Sequence, residues 1–182
     1  YRSSITEFNL DSLKKIDCVV HLAAQTSVPL SIEAFKESTN LNLNGFINVI
    51  DYCKNRNIPL VYASSSAVYG NLVFGDDTNE AIDLISPYAT DKYATELYAK
   101  MANNIYQLSS IGLRFFNVYG ERQDPSSQYS GVISVFIDSM IDGRPIKING
   151  GSQTRDFIYV KDVIKSIINA IDYSSRVNVA EN

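Results

Sequence analysis

Leu60-Val61-Tyr62-Ala63-Ser64-Ser65 decides the fold: six residues, apolar first and hydroxyl-bearing last, set off by the breaker Asn57-Ile58-Pro59. A run this short is too brief for an independent helix and suits a strand buried on both faces of a parallel sheet. The same reading fits Cys18-Val19-Val20-His21-Leu22-Ala23-Ala24 upstream and Ile111-Gly112-Leu113-Arg114-Phe115-Phe116 downstream. Ile146-Lys147-Ile148, ahead of Gly150-Gly151, makes a shorter fourth strand. Helical spacing fills the intervals. Thr39 is placed to cap a helix in which Leu43, Ile47, Ile50 and Lys54 recur every three or four residues. Ala94, Leu97, Tyr98, Met101 and Ile105 predict a helix from Tyr88 to about Gln107. Val132, Val135, Phe136 and Met140 predict another, ended by Asp142-Gly143-Arg144-Pro145. Val163, Ile167 and Ile171 mark a last one, from Asp162 to about Tyr173. Strand and helix alternate, which implies right-handed crossovers and an α/β fold, a doubly wound parallel sheet. Ligands bind such sheets beyond the carboxyl ends of the strands, here Ala23-Ala24, Ser64-Ser65-Ser66 and Phe116-Asn117.

Composition narrows the class. The 182 residues are 45% hydrophobic and 20% charged, as in an ordinary globular domain. A net charge of -4 argues against a nucleic-acid surface, and no apolar run approaches the ~18 residues of a membrane span. Cys18 and Cys53 read as buried free thiols suited to a reducing cytoplasm. The lone His21 lacks the partners of a metal site and reads as a histidine closing a buried strand. No metal is expected. The chain opens on Tyr1 and closes just after the strand-like Val177-Asn178-Val179, and so reads as a piece of a longer protein.

The main chemical signal is Tyr88-Ala89-Thr90-Asp91-Lys92. A spacing of four puts phenol and ammonium on one helical face. A free phenol, with a pKa near 10, is no base at neutral pH, and lowering it by ~3 units requires about 4 kcal/mol. An ammonium ~4 Å away at an effective dielectric of ~20 supplies a term of that size. Ser86-Pro87 stands just ahead, where proline suits a first helical turn. Upstream, Ser64, Ser65 and Ser66 offer hydroxyls able to relay a proton, or to satisfy backbone groups at the strand end.

Together with His21-Leu22-Ala23-Ala24, Asn42-Leu43-Asn44-Gly45, Ser64 to Gly70, Ser86-Pro87-Tyr88 with Lys92, Arg114 to Gly120 and Arg155 to Val160, the chain resembles the NAD-dependent epimerase/dehydratase family of extended short-chain dehydrogenases. The motifs fall in the family's order from about Asp17 to Asp162, and Gly120-Glu121-Arg122-Gln123-Asp124-Pro125 with Val132-Ile133 looks most like its UDP-hexose 4-epimerases. The resemblance implies a Rossmann-type domain over residues 1–128 and part of a smaller nucleotide-sugar-binding lobe over 129–182. It implies Tyr88 as catalytic base, Lys92 as the lysine that holds the nicotinamide ribose, and Ser65 as the hydroxyl on the reacting sugar. Cofactor contacts fall to Ala23, Ala24, Asn42, Ala63, Ser64 and Phe115, besides Tyr88 and Lys92. Substrate contacts fall to Ser27, Ser66, Asn117, Val132 and Arg155, besides Ser65 and Tyr88. Asn42 also suits a loop or cap, and the lesser alternative for Arg155 is a surface ion pair.

The implied reaction is NAD-dependent 4-epimerisation of a UDP-hexose, N-acetylated or not, through a 4-keto intermediate. A cytoplasmic homodimer is implied through the helices near residues 39–55 and 88–107. No G-x-x-G-x-x-G occurs, and with it is absent the acid that reads the adenosine ribose, so NADP stays open beside NAD. A 4-reductase needs only the same Ser-Tyr-Lys set. A 4,6-dehydratase resembling the family's would carry an Asp-Glu pair where Ser66 and Ala67 stand, and Ala67 moves no proton. A non-catalytic nucleotide-sugar-binding module would have no use for all three of Ser65, Tyr88 and Lys92.

Overall fold

The structure, a computed structural model, describes residues 3–13, 15–72, 82–127, 129–148, 150–174, 176 and 180–181. Its strands are β1 (Val19–His21), β2 (Leu60–Ser65), β3 (Ser110–Phe115), β4 (Asn117–Tyr119), β5 (Phe157–Tyr159) and β6 (Ala180–Glu181). Its helices are α1 (Val28–Glu33), α2 (Phe35–Thr39), α3 (Gly45–Lys54), α4 (Pro87–Tyr106), α5 (Val132–Ile141) and α6 (Val160–Ser174). The chain divides into two compact units, residues 1–114 with 167–182 and residues 115–166.

The first unit is built on a four-stranded sheet of order β1-β2-β3-β6, with β1–β2 and β3–β6 parallel. Successive side chains of a strand point to opposite faces, and β2 uses both. Leu60 and Tyr62 pack with Phe46, Val49, Ile50 and Cys53 of α3 and with Ala99 and Ala102 of α4. Val61 packs the other way, with Ile111 and with Ile167, Ala170 and Ile171 of α6. The sheet is therefore covered on both sides, as expected of an α/β fold. Gly112 of β3 is needed where it stands, because a Cβ there would lie 2.5 Å from the Tyr62 ring.

The second unit holds β4 and β5, paired in parallel with Asn117 opposite Phe157, and helix α5. Two expectations change. Ile146-Lys147-Ile148 forms no strand: Ile148 is exposed, and among the described residues no strand pairs with it, so the ladder hydrogen bonds have no partner. Thr39 does not cap a helix start. It has helical torsions (φ -63°, ψ -39°) and no capping bond, because α2 runs on through a π-helical turn at Asn40–Asn44 into α3. In α4, the apolar residues Leu97 (50% exposed), Tyr98 and Ile105 face outward, while the buried face is polar and alanine-rich. Small alanines bring that face close to the sheet. The expected strand at residues 177–179 lies outside the described residues.

Candidate active site

Helix α4 begins where the sequence sets it. The Ser86 hydroxyl accepts from Ala89 N at 3.1 Å, and Pro87 occupies the first turn, where its missing N–H costs nothing. A second tie comes from α1: the Ser31 hydroxyl accepts from Tyr88 N at 3.2 Å and donates to Val28 O at 2.7 Å. Tyr88, Lys92 and Glu96 then succeed one another at one-turn intervals, all buried.

Each of the three meets the end of β2. The Tyr88 phenol feels the Ser65 hydroxyl, which pulls its pKa down. Lys92 Nζ donates to Ala63 O at 2.7 Å and lies 5.9 Å from the centre of the Tyr88 ring. Glu96 Oε1 accepts from the Ser64 hydroxyl. Its carboxylate also takes the guanidinium of Arg114, Nε at 2.9 Å and Nη2 at 2.7 Å. The Ser65 hydroxyl accepts from Ala67 N at 3.1 Å, starting the 3-10 turn Ser66–Tyr69. So the three serines divide their work: Ser65 reaches the phenol, Ser64 the buried acid, and Ser66 opens the turn.

The electrostatics correct one expectation. Burial pushes the Tyr88 phenol above its ordinary value, with the Ser65 hydroxyl pulling it down in part. Desolvation outweighs the ammonium one turn away, so Lys92 alone does not make this phenol acidic. Burial also lowers Lys92 itself to about 8, against the attraction of Asp91. Asp91 is buried and its carboxyl is pushed up by desolvation, which Thr39, Asn42 and Lys92 oppose. His21, at the end of β1, is lowered to about 4 by burial and by the charge of Lys92, and its ring lies 5.7 Å from that of Phe46.

Lys92 gives a test with a definite sign. Its folded pKa lies below the ordinary 10.5, so the unfolded chain binds more protons between pH ~8 and ~10.5. Stability therefore rises across that window, and the cost of the buried ammonium, about 3 kcal/mol, is fully present below it. Lys92→Met should unfold in urea at higher concentration than the parent at pH 7, by about 1–2 kcal/mol after the lost bond to Ala63 O. The gap between the two should shrink toward pH 10.5. An equal gap at all pH values would contradict this account.

The remaining candidates of the first unit lie on or next to elements that neighbour β2 and α4. Ala23 and Ala24 follow β1, Ala23 exposed and Ala24 half-buried. Asn42 is buried and spends both side-chain ends on the Gln25 backbone, accepting from N at 2.8 Å and donating to O at 3.0 Å. Ser27 caps α1, its hydroxyl accepting from Leu30 N at 3.2 Å. In the second unit, Phe115 is half-buried and Asn117 Nδ2 donates to Asp156 O at 2.9 Å. Val132 opens α5 and is exposed. Arg155 is exposed, donates to Thr154 O at 2.7 Å and forms no ion pair among the described residues. Sequence reasoning missed Glu96, although its place eight residues after Tyr88 on the same face was open to view.

The model of the NAD dependent epimerase/dehydratase family matches residues 2–180. A Methanocaldococcus jannaschii protein, provisionally assigned as a UDP-glucose 4-epimerase, is 40% identical over 170 residues, 91% of this chain and 55% of its own. The UDP-N-acetylglucosamine 4-epimerase of Methanobrevibacter ruminantium, solved with UDP-N-acetylmuramic acid, superposes with a TM-score of 0.86 at 36% identity, over 98% of this chain and 58% of that one. MoeE5, solved with UDP-glucose and NAD, gives 0.87 at 32% identity, over 100% and 60%. The chain thus spans about half the length of the curated relatives it matches.

Proposed function

Because the chain belongs to the NAD-dependent epimerase/dehydratase family, we propose that the protein carrying it inverts C4 of a UDP-hexose through a 4-keto intermediate. One observation carries the reading: a buried phenol and a buried lysine, one helical turn apart, at the end of the strand that bears Ser65. Tyr88, as the phenolate that a bound cofactor's positive charge would favour, takes the proton of the C4 hydroxyl, with Ser65 beside it as relay. NAD, when bound, supplies the acceptor and donor of the C4 hydride and a positive charge near the phenol.

The donor set suits the nicotinamide-ribose half of such a cofactor. Lys92 spends one of its three N–H donors on Ala63 O and keeps the others for ribose hydroxyls. Ala23, Ala24, Ala63 and Ser64 line the strand ends beside it, and Phe115 is assigned the same role. Asn42 holds the Gln25 backbone and so shapes the loop after β1 that receives the cofactor. Arg155 offers a planar fork to the diphosphate, with Asn117, Val132, Ser27 and Ser66 as further substrate contacts. When the keto sugar has turned over and hydride returns to the other face of C4, Tyr88, with Ser65 beside it, gives the proton back to O4.

The apolar stripe of α4, exposed at Leu97, Tyr98 and Ile105, supports a homodimer through the helices of residues 39–55 and 88–107. Among the described residues no helix is long and apolar enough to cross a membrane. Two free cysteines fit a reducing cytoplasm.

Product analysis tests the reaction. The full-length protein, incubated with UDP-glucose and followed by NMR, should yield the C4 epimer with no net change in NADH. Loss of water would make it a 4,6-dehydratase, and stoichiometric NADH consumption a 4-reductase. Binding of UDP-sugar without any product would leave only a binding module.

A further inference from the structure

We propose that Glu96 and Arg114 are positioning residues, whose buried ion pair holds the strand-end turn that presents Ser65 to Tyr88. The inference rests on the reading that Ser65 and Tyr88 handle the sugar proton.

The geometry brackets Ser65 on both sides. Before it, Ser64 donates to Glu96, and Glu96 is 1% exposed with both carboxylate oxygens engaged by Arg114. After it runs the turn Ser66–Tyr69, and the Arg114 guanidinium lies 5.0 Å from the centre of the Tyr69 ring. One side chain of β3 thus braces residue 64, through Glu96, and residue 69 directly. Glu96 stands one turn past Lys92, so the same pair, with Lys92, ties α4 to β2 at residues 63 and 64, just before Ser65.

The chemistry explains why a charged pair serves here. Burying a carboxylate and a guanidinium gives little net stability, since desolvation consumes most of the attraction. The paired fork does fix direction, because two parallel N–H···O bonds allow one orientation where apolar packing allows several. Misplacing a catalytic hydroxyl by 1 Å can cost about 100-fold in rate. A stiff brace next to Ser65 therefore acts on kcat, through the distance between hydroxyl and phenol.

The test uses the full-length protein with two readouts: steady-state turnover of UDP-glucose, and NMR titration of 13Cζ-labelled tyrosine, with the Tyr88 resonance identified by Tyr88→Phe. Glu96→Gln keeps the shape and loses the charge. It should lower kcat per folded molecule by about 10- to 100-fold, with KM within threefold. It should also raise the Tyr88 titration midpoint, because the Ser65 hydroxyl that holds it down is less firmly placed. Arg114→Lys keeps the charge without the fork and should fall between parent and Glu96→Gln. If Glu96→Gln does not fold, Ser64→Ala, which spares the ion pair, should show the same two changes at smaller size.

A role in stability alone predicts a lower melting temperature with kcat per folded molecule and the Tyr88 midpoint unchanged. That pattern overturns the inference and leaves the proposed reaction intact. A shifted midpoint in a protein whose parent does not epimerise UDP-glucose upholds the brace and defeats the reaction.

Discussion

Tyr88→Phe should lower turnover of UDP-glucose by about 10²- to 10⁴-fold, the usual contribution of a positioned proton acceptor. The substitution removes one oxygen from a buried ring and nothing else. The ring keeps its place, because α4 is still capped by Ser86 and still tied to Ser31 through the backbone of residue 88. Folding stability should stay within about 1 kcal/mol of the parent, since the phenol is a desolvated hydroxyl influenced by one side-chain hydroxyl. KM should move little, because the diphosphate contacts assigned to Asn117 and Arg155 lie elsewhere in the chain. Cofactor retention, read from absorbance or fluorescence, should match the parent. Near-normal turnover in this variant would falsify the role given to Tyr88, and Ser65 would become the candidate acceptor.

Arg114→Met should destabilise the protein by about 3–5 kcal/mol, the range seen when one member of a buried ion pair is removed. Its partner Glu96 is among the most buried side chains of the described residues, and the change would remove both guanidinium bonds to its carboxylate, leaving the Ser64 hydroxyl bonded to it. The sharper expectation is the comparison. Glu96→Leu combined with Arg114→Met removes both charges and should cost less than Arg114→Met alone, because no uncompensated carboxylate is left behind. Urea unfolding of the parent, both single variants and the double variant gives the coupling energy directly. A double variant less stable than either single one would mean that the pair contributes packing rather than a mutual neutralisation of charge.

Activity and stability should separate across these changes. Lys92→Met is expected to gain stability and lose function, Tyr88→Phe to lose function alone, and Arg114→Met to lose stability. The first of these follows from a desolvated ammonium holding one hydrogen bond, an arrangement that stability by itself does not favour.

Local order along the chain carried the fold. The apolar run at Leu60–Ser65 became β2 with those bounds, and the helix expected from Tyr88 to about Gln107 runs Pro87–Tyr106. Tyr88 and Lys92 share a face because helical periodicity is a property of the backbone and needs no partner. Ser86-Pro87 marks the start of α4 for the same reason, since a cap and a first-turn proline act within four residues. Where tertiary context ruled, local patterns misled. The apolar stripe of α4 marked the helix but not its buried side: the sheet takes the polar face, which holds Tyr88, Lys92 and Glu96. Ile146-Lys147-Ile148 had strand composition but no ladder to join.

What the sequence by itself determined is the alternation of strand and helix and the spacing of phenol, ammonium and hydroxyls, because these depend on periods of two and 3.6 residues and on near neighbours. The tertiary structure alone decided the pairing of Glu96 with Arg114 across 18 positions, the clamp of Asn42 on Gln25, and the direction in which the Tyr88 phenol shifts. The reason is physical. A pKa reflects the water removed and the charges brought near, and both are set by residues far away in the chain that folding alone brings together.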